Sequence, residues 1–386
     1  MIRLLQTFCP ETERTEPGHA QGAQTWYLHP IFGVWTDERF CPEGIAFLCD
    51  YFQHSPNSRR LIPQFLVVNA FRMPDVFRHF QHPSFAITKP VPNASHLMIL
   101  PGNQRIRCFD FCTRTIRTHL KTGFPPEALM GEIEIRSRLS TQFESVLPFL
   151  NISSDHTFWD EPLLHMIPLN RIPQRLIPGQ IYEAIFKDFR RIAQTQANTI
   201  ASYSYVEQLF MSIRDGFAEL QKQWPGLNPK KLFHLMDLCA EHASKLDTIE
   251  LGCSHGDFQP GNILVPPPFQ STIHGQPPFV LADWEDAAQR ATIYDPLTFV
   301  LKARQPQGLT KRLVEYIEGR YLEHPALVQT FAISLQKSRR KSIAALFLME
   351  EWVWLLQVSA RAGISRMPAG LILHFQELNP QIAVFR

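Results

Sequence analysis

The stretch SHGDFQPGNILV, residues 254–265, sets His255, Gly256, Asp257 and Asn262 within eight positions, just ahead of a short apolar run. Asp, Gly, Pro and Asn are ordinary turn formers, so a plain loop is one reading. Residue frequencies make the spacing H-G-D-x-x-x-x-N a roughly one-in-a-thousand event in a chain of this length. An Asp projecting from a tight turn can orient a hydroxyl or accept its proton. An Asn five residues later, where the chain enters a strand, can return to the same cleft and offer its amide oxygen to a hard cation. His255 suits bracing of the loop by hydrogen bonds, and Gly256 allows backbone angles that a side chain forbids.

A second acidic stretch, LADWEDA at 281–287, follows. Its Asp283 ends an apolar run that starts at Phe279. If the runs around Ile263 and Val280 pair as a hairpin, Asn262 and Asp283 share a cleft. An amide oxygen and a carboxylate, completed by substrate phosphates, make a magnesium site.

The surrounding chain bounds the setting. Its 386 residues allow two or three domains, or one domain of two lobes. An apolar share of 45% supports a sizeable core. A net charge of +2 argues against a dedicated nucleic-acid binder. The 31 prolines point to stiffened connections. The seven cysteines, Cys9, Cys41, Cys49, Cys108, Cys112, Cys239 and Cys253, are odd in number and scattered, unlike a secreted disulfide framework. Cys108 and Cys112 share strand parity, which predicts burial of both on one face rather than metal ligation. The N-terminal apolar stretch is too short for a signal peptide, and Glu350 and Glu351 interrupt the most apolar segment. The expectation is a cytoplasmic protein with no membrane span.

Residues 1–85 are aromatic-rich and show no clear pattern beyond short elements broken at Pro30, Pro56 and Pro63. From 86 onward, HLMILPGNQRIRCFDFCTRTIRTHLKTG alternates apolar and polar residues around a Pro-Gly-Asn break, predicting a hairpin and a further strand. PPEALMGEIEIRSRLSTQF predicts a helix with Pro125 and Pro126 at its start. SVLPFLNIS and PLLHMIPLN suggest two more strands. From about 178, apolar residues recur at spacings of three and four in successive helices, the strongest ending near Gly363. The expected fold is α+β: a small β-rich lobe at 86–170, a larger helical lobe at 171–386 carrying the loop and the hairpin, and an N-terminal extension at 1–85 of unassigned role.

HGDFQPGNILV followed by LADWEDA resembles the aminoglycoside phosphotransferase and choline-kinase-like enzymes, which share the bilobal protein-kinase-like fold. The match is strong over about 12 residues and extends to about 40 with the following strand. The resemblance implies an ATP- and magnesium-dependent phosphotransferase acting on a hydroxyl of a small molecule such as a sugar, an amino alcohol or an antibiotic. It implies that Asp257 is the catalytic Asp that orients or deprotonates the substrate hydroxyl, with His255 beside it, and that Asn262 and Asp283 hold magnesium on the ATP phosphates. It further implies a phosphate-binding Lys on the third strand of the small lobe, paired with a helix Glu. Lys121 sits at the end of such a strand. Glu132 and Glu134 stand about 200° apart around the helix, so one alone can face the cleft, and Glu132 has the family's spacing to Leu139. Gly102, a lone glycine beside a proline, fits the phosphate-covering loop or, equally, a plain hairpin turn, and the resemblance places adenine against Met166 and Ile167, beside His165, on a lobe-connecting strand.

Other candidates have simpler roles. Glu285 and Asp286 suit support of Asp283, Asp295 suits a helix N-cap or a brace for the loop, and KSRRKS at 337–342 suits a solvated face. Phe347, Trp352 and Trp354 suit core packing, with a cation cage as the alternative. Two other functions fit the same fold: an enzyme that modifies a protein or glycan or transfers a nucleotidyl group, and a catalytically silent binding or scaffold protein.

Overall fold

The computed structural model describes residues 13–15, 23–53, 58–102, 104–173, 176–267, 276–320, 336–361 and 369–386. In chain order the strands and helices are β1 (Arg14–Thr15), β2 (Gln24–His29), β3 (Val34–Asp37), α1 (Pro42–Phe52), α2 (Ser58–Ala70), α3 (Pro74–His79), β4 (His82–Ile87), β5 (Leu97–Pro101), β6 (Arg105–Asp110), β7 (Thr115–Leu120) and α4 (Glu127–Leu139). They continue as β8 (Asn151–Ile152), β9 (Phe158–Pro162), β10 (Ile167–Pro168), α5 (Gly179–Gln194), β11 (Asn198–Ala201), α6 (Ser202–Gln223), α7 (Lys230–Ala243) and β12 (Thr248–Ser254). The last are β13 (Ile263–Val265), β14 (Val280–Leu281), β15 (Ala288–Ala291), α8 (Tyr294–Val300), α9 (Leu309–Ile317), α10 (Lys337–Arg361) and α11 (Ala369–Phe385).

The chain forms two compact units, residues 1–178 with 260–285, and residues 179–259 with 286–386. The hairpin expected with the helical lobe thus packs with the β-rich unit, while Asp257 lies in the helical one.

In the first unit, the described strands form a nine-stranded sheet in the order β1-β4-β2-β3-β5-β6-β7-β9-β8. The expected hairpin and further strand are β5, β6 and β7, an antiparallel run with Ile99 opposite Cys108 and Arg107 opposite Thr118. The segment before residue 86, illegible in the sequence, extends this sheet through β3, where Trp35 pairs with Ile99. Pro63 lies inside α2 instead of ending it. Helix α1 starts at Pro42, a residue suited to a first helical turn, and Cys41 Sγ accepts the Gly44 N–H at 3.3 Å. Its apolar face joins Phe32, Val34, Phe71, Phe77, Met98 and Phe109 in one core.

Two strand expectations shrink. Within SVLPFLNIS and PLLHMIPLN the paired residues are Asn151–Ile152, Ile167–Pro168 and Pro162, the last residue of the longer strand β9 that lies mostly between the two stretches. Its sequence, FWDEP, lacks clean alternation because its Asp160 and Glu161 are held by arginines. Cys108 is buried on β6, but Cys112 lies beyond the strand end and is exposed, so shared parity does not bury it.

The second unit is mostly helical. Its core gathers α6, α7, α10 and α11 with a three-stranded sheet ordered β11-β12-β15. By length and composition α10 could cross a membrane, and 67% of its most apolar window is buried within the protein. Its Glu350 and Glu351 are buried and serve as anchors: Tyr205 donates to Glu350 at 2.6 Å and Tyr294 to Glu351 at 2.8 Å. The helix end expected near Gly363 lies outside the described residues.

Candidate active site

In the second unit the loop after β12 is set by buried backbone donors. Asp295, in the first turn of α8, accepts the backbone N–H of His255 at 2.8 Å and of Gly256 at 3.1 Å. The expected brace is therefore present, and the carboxylate is spent on the loop rather than on a helix cap. Gly256 has φ of +82°, and a Cβ there would come 2.0 Å from the Asp286 carbonyl oxygen, so only glycine fits. His255 is fully buried, and its Nδ1 accepts the Asp257 N–H at 3.4 Å. Its position is that of a loop support.

Asp257 emerges from this frame with both carboxylate oxygens engaged. Arg304 Nε donates to Oδ1 at 2.5 Å and Gln259 Nε2 to Oδ2 at 2.9 Å. Arg304, absent from the sequence reading, also donates to Glu351 at 2.5 Å, to the Gly256 carbonyl at 2.5 Å and to Tyr294 at 3.2 Å. Its guanidinium lies 3.4 Å over the Trp354 ring, whose indole N–H donates to Asp286. Trp354 is thus a cation platform for an internal arginine, while Phe347 and Trp352 are core. Burial pushes the Asp257 carboxyl up, but Arg304 and Gln259 more than offset it and hold it below its ordinary value.

In the first unit, β13 and β14 form the expected hairpin, with Ile263 opposite Leu281, and Ala282 N–H donates to the Asn262 carbonyl at 2.9 Å. Asp283 follows with φ of +70°, a left-handed conformation that Asp tolerates better than most residues. Asn262 and Asp283 both line a cavity of about 340 Å³, together with Arg107, Glu132, Arg136 and Met166. Their amide and carboxylate oxygens suit a hard divalent cation, which needs few protein ligands when phosphates supply the rest. Among the described residues no group of three His, Cys, Asp or Glu forms a denser metal site.

The expected Lys121–Glu132 pair is replaced. Glu132 faces the cavity and Glu134 is exposed, as the choice between them required. Yet Glu132 is held by Arg105 at 2.5 Å and Arg136 at 3.1 Å, and Arg136 continues to Glu161 at 2.6 Å. Burial pushes the Glu132 carboxyl up, and the two arginines more than offset it, keeping it below its ordinary value. Lys121 Nζ instead donates to the Gly102 carbonyl. The reason is parity: Ile116 and Thr118 of β7 line the cavity, and Lys121 has the opposite parity at the strand end. Thr118 stands opposite Arg107, whose guanidinium pairs with Asp283 at 3.2 Å. Gly102, whose N–H donates to the Arg105 carbonyl, closes the β5–β6 turn and does not line the cavity. Met166 lines it, whereas Ile167 is buried in β10 opposite Val265. Glu285 pairs with Arg105 at 3.4 Å, and the basic run ties down at Lys337, 2.8 Å from Glu318. Arg105 and Arg107 had one sequence signal, the alternation R-I-R on β6, one strand removed from the Glu132 helix.

A β-rich unit followed by a helical one, with a braced HGD loop and an Asn–Asp hairpin, is a protein-kinase-like α+β architecture. No family model matches the chain, and no curated protein matches it. Among solved structures the chain is similar to an ethanolamine kinase from Plasmodium vivax, at 10% identity and a TM-score of 0.50, covering 88% of this chain and 93% of that one. It is also similar to choline kinase LicA from Streptococcus pneumoniae (12% identity, TM-score 0.48, 74% and 94% covered). A third is an aminoglycoside phosphotransferase from Streptomyces rimosus (15%, 0.43, 67% and 93%). The likeness to the ethanolamine kinase shows the fold, in agreement with the resemblance carried by the loop and hairpin motifs.

Proposed function

We propose that the protein is an ATP- and magnesium-dependent phosphotransferase that moves the γ-phosphoryl group to a hydroxyl of a small molecule. The observation that carries this reading is the pairing of chemistries on one short stretch of chain. Asp257 is held ionised on a braced loop, and five residues on Asn262 joins Asp283 and Arg107 in the lining of a cavity. A volume of about 340 Å³ is within the range of small-molecule and cofactor sites.

In this reading Asp257 orients the acceptor hydroxyl and takes its proton as the oxygen attacks phosphorus. The bond from the γ-phosphorus to the bridging oxygen breaks, and ADP leaves. Asn262 and Asp283 would hold magnesium, which supplies charge neutralisation on the phosphates. Arg107 supplies a fixed positive charge beside Asp283, the part expected of Lys121. Phosphoryl transfer asks little covalent chemistry of a protein, so positioning and electrostatics suffice.

Turnover across a panel of hydroxyl acceptors, read by mass spectrometry, tests this. Asp257→Asn should lower turnover by a factor of about 10²–10⁴ while Mg-ATP binding persists. An added mass of a nucleotidyl group would replace phosphoryl transfer by nucleotidyl transfer. Absence of turnover by the wild type over the whole panel, or equal turnover by Asp257→Asn, would overturn the proposal.

A further inference from the structure

We propose that helix α1 of the N-terminal segment is a built wall of the nucleotide site, with Phe47, Leu48, Tyr51 and Phe52 taking the base and ribose. The inference rests on the phosphotransferase reading and gives the segment before residue 86 a role in it. These four residues fall at helical spacing on one face of α1, and all four line the cavity. Further apolar lining comes from Met98, Leu100, Phe109 and Ile116 of the central strands. The charged lining is Arg107, Arg136, Glu132, Glu161 and Asp283, with the Asn262 amide beside them. A lining that combines apolar side chains with both signs of charge and an amide suits a molecule with a flat base and a magnesium-bound polyphosphate.

Tyr51 is the polar member of the α1 face and lies near the charged groups. Burial pushes its phenol up, and it feels the charges of Arg171, Arg107 and Asp283. The Arg171 guanidinium lies 5.8 Å from the Tyr51 ring and 5.1 Å from the Phe52 ring, bracing both. The helix is pinned in place. Asp50 accepts from Arg72 at 2.5 Å and lies 2.9 Å from His165 Nε2. His165 sits between Leu164 and Met166, which line the same cavity. The Cys49 thiol donates to the Val68 carbonyl at 3.3 Å, and Glu43 pairs with Arg114. The Phe47, Leu48 and Met98 side chains belong to one core, so α1 is continuous with the sheet rather than a detachable lid.

Calorimetric binding of Mg-ATP, adenosine and magnesium tripolyphosphate to the full chain tests the assignment. Tyr51→Ala should weaken Mg-ATP and adenosine about 5- to 100-fold, the range of lost base stacking, and leave tripolyphosphate within about twofold. Asp283→Asn should do the reverse, weakening Mg-ATP and tripolyphosphate while sparing adenosine. Tyr51→Leu keeps apolar bulk, so it serves if the alanine variant does not fold, and it should shift affinities in the same direction. A folded Tyr51 variant with unchanged Mg-ATP and adenosine affinity, beside a weakened Asp283→Asn, would overturn this inference alone. A wild type that binds none of the three probes would overturn the phosphotransferase reading and this inference together.

Discussion

Arg304→Met removes the cation that joins Asp257, Glu351, Tyr294 and the Trp354 ring. Methionine keeps much of the apolar stem, so the lost quantity is charge and hydrogen bonding rather than volume. Glu351 is fully buried and retains only the Tyr294 hydroxyl among the partners described above. Removing one member of a buried ion pair is destabilising by about 3–5 kcal/mol, mostly because the other charge stays buried without compensation. A helical unit of this size has a total stability of the order of 5–15 kcal/mol, so the effect is large. Urea denaturation of wild type, Arg304→Met, Glu351→Gln and the double variant measures it. Glu351→Gln removes the charge that Arg304 compensates, so the double variant should lose less than the sum of the two single losses, by at least about 1 kcal/mol. A kinetic readout accompanies it. Arg304 helps hold the Asp257 carboxyl below its ordinary value, so under the proposed function the acidic limb of turnover falls at low pH. Without Arg304 that carboxyl rises, and the acidic limb of the pH–rate profile should move to higher pH. Additive losses, or a single loss under about 1 kcal/mol with an unmoved acidic limb, would refute the assignment of Arg304 as the clamp on Asp257.

Two more predictions follow from the first unit's arginines and from α10. Arg107→Met should weaken Mg-ATP binding about tenfold or more in a direct titration, while Lys121→Met, whose ammonium group bonds the Gly102 turn, should leave it within about twofold. Burial raises the Glu350 carboxyl to about 7, although Tyr205 and the Ala291 N–H both donate to its Oε1. A folded-state value above the unfolded one means the contribution to stability is complete below about pH 4.5 and is lost as pH rises through about 7. Glu350→Gln should therefore flatten the fall in thermal midpoint between those pH values, and an unchanged slope would place the titration elsewhere.

Much of the site was legible because its chemistry is local. The HGD turn needs glycine at a left-handed position whatever surrounds it, and Asn262 and Asp283 are brought together by one hairpin whose apolar runs are visible in the sequence. Helical spacing likewise separated Glu132 from Glu134. The partners of these groups were not legible. Arg304 reaches Asp257 from 47 positions away and Arg107 reaches Asp283 from 176, and no short-range pattern specifies either. Lys121 was the misleading case: residue type and spacing fitted a phosphate ligand, but strand parity turned it to the Gly102 turn and gave the inward place to Thr118.

The N-terminal segment shows the same division. Its aromatic residues announce burial, not the partner they are buried against. Only sheet pairing from β3 to β5 and the packing of α1 bring Tyr51 to the cavity that Asn262 and Asp283 line. What the sequence determined by itself is therefore the loop, the hairpin and the α+β class, each set by turn chemistry and by periods of two or 3.6 residues. What the tertiary structure decided is which cations complete the acidic groups and what encloses the cavity, because charge pairing and burial act between residues that are neighbours in space and strangers in the chain.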